Sequence, residues 1–597
     1  MENTRGSFSD DLKWNTNDLY HSRDDFERDY ALVEKKIKEY EKFKGHVLDD
    51  AATLLEMLDL DEEICMMLDR IYIYAHTLND QDTRNTECQT LYDRAVRLYE
   101  KVGEASSYIV PELIKKDYSV VEEFIGEEEK LKHYELVLKN IFRKKKYVLS
   151  DIEEQLISNL ASVFSVPDDV YSLLSDADMK FGKVRDENGE EIELNEQTYH
   201  RLIMSFDRET RREAFQRLYE VYGKFKNTFA KLLASEVNVN NKIAKIRGYN
   251  SALEASLYGN DVPKSIIDNL IATVKKNVAP LSKYWSLKRR LLGVEELHLY
   301  DTLAPTNKEA NKKYTFEEAK ETILETVELL GEDYTAGIKR AFEEGWIDSV
   351  SNDGKRGGAY CTACYGVHPY VLLSFDGTLS SVSTLIHELG HAMHYHYAMS
   401  NQSFQDFDYS IFVAEVASQV NQILLTMKLV EKSCDAQEKI YLLNELATDF
   451  KSSIYRQTMF ADYEVSIHEM AEKGEVLTHE VLEDLYFKLN KEYNGENIVV
   501  DEEIRYEWER IPHFYMNFYV YQYATAYAAS IIIAKNLLAH KSGALESYLE
   551  FLKLGKTKTP VESLKVAGVD MESEKTLEEA FEYFDDIVRQ LEENMRC

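Results

Sequence analysis

Proline, glycine and cysteine are scarce in this sequence, and each shortage excludes a class of protein. Only 8 prolines and 24 glycines occur among 597 residues, which excludes a collagen-like or low-complexity chain and favours long uninterrupted helices. Six cysteines are too few for a disulfide framework in a chain of this length, which indicates reduced thiols. Because 44% of the residues are hydrophobic, large buried cores can form. We therefore predict a mainly α-helical globular protein.

Basic residues are also few relative to acidic residues. The chain has 71 Lys and Arg against 107 Asp and Glu, a formal net charge of −36 at pH 7. A field of this sign repels phosphate backbones, so we expect no nucleic-acid partner. The first residues resemble neither a signal peptide nor a transit peptide. The uncharged stretch 513–534 is rich in tyrosine and other polar residues, which favours a buried helix over a membrane span. We expect a cytoplasmic protein without a membrane segment.

The chain is longer than one hydrophobic core usually organises, which predicts at least two lobes with a cleft between them. Helical periodicity dominates the first 180 or so residues. It is interrupted at 181–194, where Asn188-Gly189 lies between two short extended runs and predicts a hairpin with a primed turn. We therefore predict an N-terminal helical lobe over 1–195 and a second region over 196–597.

A small β-sheet is predicted directly before one of the helices of the second region. Residues 354–377 are rich in glycine, aromatic and β-branched residues, and 370–375 has the composition of a buried strand. Ser380 or Ser381 can cap the helix that follows. The predicted fold is thus mainly α, with two helical lobes flanking a deep cleft and a small β-sheet next to this helix.

The helix after the sheet carries the sequence His387-Glu388-Leu389-Gly390-His391. A spacing of four places both imidazoles on one helical face, where they can bind the same ion. Glu388 adjoins the first imidazole and can take a proton from water. Burying these groups among apolar neighbours costs free energy unless they are paired or bind metal, so we predict one zinc ion per chain. Gly390 in the middle of a helix indicates that another part of the chain approaches its backbone closely.

A catalytic zinc ion usually has three protein ligands, so one more is required. Glu415 is the strongest candidate, because it interrupts the apolar run 411–417 and has no basic partner one helical turn away. If residues 400–410 form a turn, an antiparallel helix can return Glu415 to the level of the two histidines. The alternatives are His394, Asp406 and Asp408.

Three separated motifs resemble one known family. They are HELGHAMH at 387–394, DYSIFVAEVASQVNQ at 408–422 and IPHFYMNFYVYQYAT at 511–525. Together they resemble the oligoendopeptidase F branch of the thimet oligopeptidase family of zinc metallopeptidases. The N-terminal segment LKWNTNDLY at 12–20 resembles the same branch, so the likeness extends over essentially the whole chain.

The resemblance implies an endopeptidase that acts on short, unstructured oligopeptides. It implies that zinc is held by His387, His391 and Glu415 and that Glu388 activates the water. It further implies that His513 and Tyr523, with Tyr519 as a weaker candidate, stabilise the tetrahedral intermediate. A tyrosine hydroxyl suits this role because it donates to a developing oxyanion without competing for the metal. Family members also pair the substrate backbone with an extended edge before the zinc helix, which the glycines at 357–358 would permit.

Two departures from the family pattern support one of two alternative functions, that of a peptide-binding pseudo-enzyme. Gln422 occupies a position where the branch commonly has Glu, and Ala526 one where it commonly has Gly. A peptide-binding pseudo-enzyme and a zinc exopeptidase on the same scaffold are the alternatives.

Cys361 and Cys364, followed by His368, could form a metal knuckle or a redox pair. The sequence has neither a second such cysteine pair nor a βαβ pattern, so a structural role is favoured.

Overall fold

The structure is a computed structural model that describes residues 4–307 and 312–596. It is mainly helical, which confirms the predicted fold class. Two compact units are present. The first unit comprises Met1–Lys146, Lys312–Leu425 and Asn536–Ala567, and the second comprises Tyr147–Asn311, Thr426–Lys535 and Gly568–Cys597. The division of the chain at residue 195 stays a prediction.

The α-helices of residues 4–307 are short to medium in length, apart from one of 31 residues near the N-terminus. They are α1 (Arg23–Lys36), α2 (Ala51–Gln81), α3 (Thr86–Ser106), α4 (Ile109–Leu113), α5 (Tyr118–Glu127), α6 (Glu135–Arg143), α7 (Asp151–Phe164), α8 (Val166–Ser172), α9 (Glu196–Ile203), α10 (Arg208–Tyr222), α11 (Lys226–Arg247), α12 (Ala252–Asn260), α13 (Ser265–Lys276) and α14 (Ala279–Leu292).

The proline-free stretch between Pro369 and Pro512 forms several of the longer helices of residues 312–596, as its composition predicted. The helices of this part are α15 (Phe316–Val327), α16 (Gly331–Glu343), α17 (Leu379–Asn401), α18 (Ile411–Lys432), α19 (Ala436–Phe450), α20 (Gln457–Glu472), α21 (His479–Asn494), α22 (Tyr521–Leu538), α23 (Ala544–Leu552), α24 (Pro560–Val566) and α25 (Glu574–Asn594).

The predicted hairpin is present in the second unit, but its turn is not the predicted one. Strand β1 (Lys183–Arg185) pairs with the antiparallel strand β2 (Glu191–Glu193). Gly189 has a φ of 80°, whereas Asn188 does not adopt the positive φ that a two-residue primed turn requires. The side chain of Asp186 instead accepts hydrogen bonds from the backbone N–H groups of residues 188 and 190, which stabilises a longer loop.

The sheet expected before the motif helix lies in the first unit and has the order β3 (Ile347–Asp348), β5 (Pro369–Leu372), β4 (Tyr360–Ala363). The central strand β5 is parallel to β3, antiparallel to β4 and buried at every residue. It is shorter than the strand predicted at 370–375, because it ends at Leu372 and Ser374 is exposed. Tyr370 packs edge-on against Trp14, with 5.9 Å between ring centroids, which joins the sheet to the core of the N-terminal helices. Strand β4 pairs with β5 alone among the described strands and therefore forms an edge.

Helix α17 carries the two motif histidines and begins two or three residues earlier than a cap at Ser380 or Ser381 would allow. Thr378 is its N-cap and accepts a hydrogen bond from Ser381 N at 3.1 Å, while Asp376 Oδ1 accepts from Thr378 N at 2.9 Å. The predicted caps, Ser380 and Ser381, lie inside the first turn. The helix packs against β4, β5, α16 and α23, so most of its length is buried.

The uncharged stretch 513–534 is not one continuous helix. A 3₁₀ turn covers Pro512–Tyr515, and α22 begins only at Tyr521. Between them Asn517 and Phe518 have φ values of 45° and 62°, a strained conformation for residues other than glycine. The buried carboxylate of Glu464 accepts a hydrogen bond from Phe518 N at 2.6 Å, which helps to hold this bend. None of the helices in the described part of the chain combines the length and the apolar character that crossing a bilayer requires.

The Glu464 carboxyl predicts a pH dependence of stability in the second unit. Burial raises its pKa to about 8, above the value of an exposed glutamate. Because the folded state favours the protonated carboxyl, Glu464 stabilises the protein fully at pH values below the pKa that it has in the unfolded chain. This stabilisation is lost as the pH rises through about 8. We expect Glu464→Gln, which keeps the acceptor oxygen, to gain thermal stability relative to wild type between about pH 5 and about pH 9. Melting curves at both pH values test this, and a difference that does not change with pH would contradict it.

Candidate metal centre

His387, His391 and Glu415 converge in the first unit. The two imidazole Nε2 atoms lie 3.2 Å apart, and Glu415 Oε2 lies 3.4 Å from that of His387 and 3.6 Å from that of His391. Within residues 4–307 and 312–596, these three side chains form the one group of His, Cys, Asp or Glu ligand atoms that lie mutually within 4.8 Å. The histidines come from α17 and the glutamate from α18.

Direct contact between the backbones of α17 and α18 brings the three side chains together. A Cβ atom placed on Gly390 would lie 2.6 Å from Ser418 Cα and 2.7 Å from Ala417 O. No other residue fits there without moving one helix, which confirms the close approach that a mid-helix glycine predicted. Glu415 precedes Ser418 by three residues, so this contact fixes the position of Glu415 along the axis of α17.

Hydrogen bonds behind the ligands orient each of them. His387 Nδ1 lies 2.8 Å from Gln422 Oε1, and Gln422 Nε2 donates to Ser383 Oγ at 3.0 Å. This arrangement makes His387 Nδ1 the donor and leaves its Nε2 lone pair free for a metal. The backbone of Ala414 likewise accepts a hydrogen bond from the ring of His391. Ser418 Oγ donates a hydrogen bond to Glu415 Oε2 at 3.1 Å.

The charges of these groups suit a divalent cation. Burial works to raise the pKa of Glu415, but its hydrogen bond to His387 and the two nearby imidazoles hold it at about 2. Burial lowers the pKa of His391 to about 4, so this imidazole is neutral near pH 7. Burial works to lower the pKa of His387, but its hydrogen bond to Glu415 and the nearby carboxylates raise it above the ordinary value. Two imidazoles and one carboxylate are a donor set that fits zinc.

The three alternative ligands lie outside this group. His394 is 1% exposed, and its ring stacks on Tyr409 with 3.7 Å between centroids. Asp406 and Asp408 lie in the loop between α17 and α18 and do not join the converging atoms. Of the candidates considered, the structure brings Glu415 to the histidines.

Glu388 lies next to the first histidine and beside the edge strand. It is 6% exposed, and burial raises the pKa of its carboxyl to about 7. Burial raises the pKa of the Cys361 thiol in β4, and the nearby charge of Glu388 raises it further. A peptide added to the free edge of β4 would therefore pass close to this carboxylate.

The contact between Gln422 and His387 was not predicted from the sequence, where Gln422 stood out only as a departure from the family pattern. Gln422 follows Glu415 by seven residues, two helical turns along the same face of α18. This two-turn spacing was the sequence feature from which a position of Gln422 near the metal ligands could have been predicted.

His513, Tyr519 and Tyr523 form an aromatic cluster in the second unit. Ring centroids lie 5.9 Å apart for His513 and Tyr519, 5.9 Å for His513 and Tyr523, and 5.5 Å for the two tyrosines. Tyr519 does not share a helix with Tyr523, because α22 begins two residues after Tyr519. The bend at 517–518 brings the three rings together instead. Burial lowers the pKa of His513, which favours the neutral imidazole.

Comparisons with known families match most of the chain. The model of peptidase family M3 matches residues 201–583, and that of oligopeptidase F matches residues 112–181. Oligopeptidase PepF of Bacillus subtilis (strain 168) is 38% identical over 580 residues, which are 97% of this chain and 87% of the relative. The oligoendopeptidase F homolog of Lactococcus lactis subsp. lactis (strain IL1403) is 36% identical, with 99% and 98% covered.

Solved structures agree with the sequence comparisons. Oligoendopeptidase-F from Enterococcus faecium has a TM-score of 0.75 and 36% identity, and the match covers 96% of this chain and 99% of that one. A peptidase structure from Chlamydophila abortus has a TM-score of 0.93 and 35% identity, and the match covers all of both chains.

Proposed function

The chain belongs to peptidase family M3 and to its oligopeptidase F branch, and from this premise we propose that it is a zinc-dependent endopeptidase of short, unstructured oligopeptides. Membership makes it a metallopeptidase, a hydrolase of peptides with a metal cofactor. The identity of the metal, the internal position of the cut and a cytoplasmic location are parts of the proposal.

One observation carries the proposal. The ligand atoms of two imidazoles and one carboxylate lie close together. A further buried carboxylate, that of Glu388, lies beside them but does not belong to the group. Catalytic zinc sites have such a three-ligand arrangement, which leaves a position for water. A zinc site with a purely structural role usually has four protein ligands and needs no adjacent base.

The mechanism assigns a task to each side chain of the centre. His387, His391 and Glu415 would hold the ion, which supplies Lewis acidity for the scissile carbonyl and makes a water proton easier to remove. Glu388 takes the proton from the attacking water and delivers it to the leaving amine. Its burial suits both steps, because a carboxyl with a raised pKa can accept a proton and keep it until the C–N bond breaks.

Substrate binding is proposed at two places. The free edge of β4 offers backbone hydrogen bonds to an extended peptide, which gives affinity with little dependence on side chains. His513 and Tyr523, and more weakly Tyr519, are proposed to donate hydrogen bonds to the carbonyl oxygen as negative charge develops on it. The family resemblance supports this role, and so does the neutral state that burial favours for His513.

An end-blocked, internally quenched peptide of about ten residues, which spans roughly 33–36 Å when extended, tests the proposed function. We expect the metal-loaded wild type to cleave it at an internal bond, because an endopeptidase needs no free terminus. Cleavage only after one terminus is unblocked would identify an exopeptidase. Metal loading and peptide binding without cleavage of either peptide would identify a pseudo-enzyme. Mass spectrometry of the products distinguishes the three outcomes.

Gln422 is expected to strengthen metal binding through His387. Gln422→Met removes the acceptor of the Nδ1–H group while keeping a side chain of similar length. Loss of such a partner typically weakens metal affinity 10- to 100-fold, and we expect a decrease of about this size. Competition with a chromophoric chelator measures it. Gln402→Met, on the loop after α17 and outside the ligand group, is the control, and equal affinities of the two variants would refute the role of Gln422.

A further inference from the structure

A cavity of about 290 Å³ lies within the second unit and shares no residue with the candidate metal centre. Segments of α9, α10, α21 and the chain between α19 and α20 line it. Its volume is near the lower limit for small-molecule sites, which are mostly apolar with a few fixed polar groups. The aromatic part of its wall consists of Tyr199, Phe215, Tyr219, Tyr455 and Tyr493. We call it the Lys451 cavity.

A π-helical turn provides the polar wall of the Lys451 cavity. Helices α19 and α20 are joined without a break by the π-helical segment Lys451–Arg456. Its residues Lys451, Ser452, Tyr455 and Arg456 all line the cavity. Such turns are rare and occur frequently at functional sites, because they change which side chains a helix presents to one face.

The cavity wall, which also contains the carboxylate of Glu507, has one positive charge without a direct ion-pair partner among the described residues. Arg456 Nη1 donates to Glu507 Oε1 at 2.7 Å, and Arg510 forms an ion pair with Glu196. The Lys451 ammonium has neither a hydrogen-bond acceptor nor an ion-pair partner in the described part of the chain. Burial and the charge of Arg456 lower the pKa of Lys451 to about 8, against the opposing effect of the Glu507 carboxylate, so the protonated form predominates at pH 7.

Two neutral side chains of the same wall are also available for a ligand. Ser452 and Gln457 line the cavity, and their side chains form no hydrogen bond with described residues. Both are partly buried, so their polar atoms must bond either to water or to a ligand. Together with Lys451 they offer an ammonium, a hydroxyl and an amide within two helical turns.

We propose that the Lys451 cavity binds a small organic molecule that has one carboxylate and an apolar body. The single unpaired ammonium matches a single negative charge, since both guanidinium groups are already paired with glutamates. A phosphate dianion would bring a second charge that nothing in the cavity neutralises. The tyrosine and phenylalanine rings pack against the hydrocarbon part of the ligand.

Calorimetric titration of the metal-loaded protein with N-acetylphenylalanine tests this site. We expect saturable binding, no saturable binding of N-acetylphenylalanine amide or inorganic phosphate, and at least a tenfold weaker affinity for N-acetylphenylalanine in Lys451→Met. Removing a partly buried charge that has no ion-pair partner should not lower the melting temperature, so this variant is expected to fold. Lys264→Met is the control, because it removes the same charge from an exposed ion pair of the same unit.

Three results would overturn the proposal. The first is no binding to wild type, and the second is equal affinity of wild type and Lys451→Met, which would place the ligand elsewhere. The third is binding of the amide or phosphate as tight as that of the carboxylate. If Lys451→Met does not fold, Gln457→Met replaces it, with a severalfold loss of affinity expected and an unchanged affinity contradicting the site.

Discussion

Replacing Glu388 by glutamine is expected to reduce kcat for peptide hydrolysis by about a thousandfold or more while one metal ion per chain remains bound. General acid–base catalysis typically contributes 10²- to 10⁴-fold, and here one carboxylate serves both proton transfers. Glutamine keeps the size of the side chain but can neither accept the proton of water nor return it. Because Glu388 lies outside the group of converging ligand atoms, the metal content should not change.

Hydrolysis assays with the quenched peptide measure kcat, and metal analysis of the same samples measures the number of metal ions per chain. Asp408→Asn is the matched control, because it neutralises an exposed carboxylate of the loop between α17 and α18. We expect this variant to retain wild-type kcat. Substantial activity in Glu388→Gln would contradict the assignment of the base, and loss of metal from that variant would make Glu388 a ligand.

Gly390→Ala is expected to reduce bound metal at least tenfold and to lower the stability of the protein. The new Cβ would lie 2.6 Å from Ser418 Cα, so α17 and α18 must move apart. Overpacking of this kind typically costs about 1–3 kcal/mol. Because Glu415 lies less than one turn from the contact, the same displacement moves its carboxylate away from the histidines.

Gly103→Ala is the matched control for this prediction. Gly103 is also a helical glycine of the first unit, in α3, but a Cβ there would contact nothing within 4 Å. Alanine is favoured over glycine in a helix by up to about 1 kcal/mol, so this variant should be as stable as wild type or more so, with full metal content. Wild-type metal content and melting temperature in Gly390→Ala would refute the role given to the helix contact.

Much of the metal centre could be predicted from the sequence, because local helix geometry determines the relative positions of several of its residues. A spacing of four residues on a helix fixes the relative position of His387 and His391 whatever the tertiary structure. A lone carboxylate in an apolar run singled out Glu415, and a mid-helix glycine indicated the helix contact. Periodicity and the scarcity of proline sufficed for the fold class and for helices such as α2 and α3.

Other features depend on tertiary contacts that one sequence does not reveal. The bend before α22 involves a hydrogen bond to Glu464, more than fifty residues earlier in the chain, so the uncharged run at 513–534 was predicted as one helix. Thr378 was overlooked as a cap because two serines near it have the same propensity. The Lys451 cavity depends on a π-helical turn and on which arginines already have partners, and neither has a sequence signature.

The position of the metal tests the central claim most directly. A crystal of the zinc-loaded protein, measured on both sides of the zinc absorption edge, locates the ion by its anomalous scattering without reference to a mechanism. We predict a single strong peak per chain, within bonding distance of His387 Nε2, His391 Nε2 and the Glu415 carboxylate. A protein that cleaves the blocked peptide while its zinc lies elsewhere, or is absent, would contradict the account.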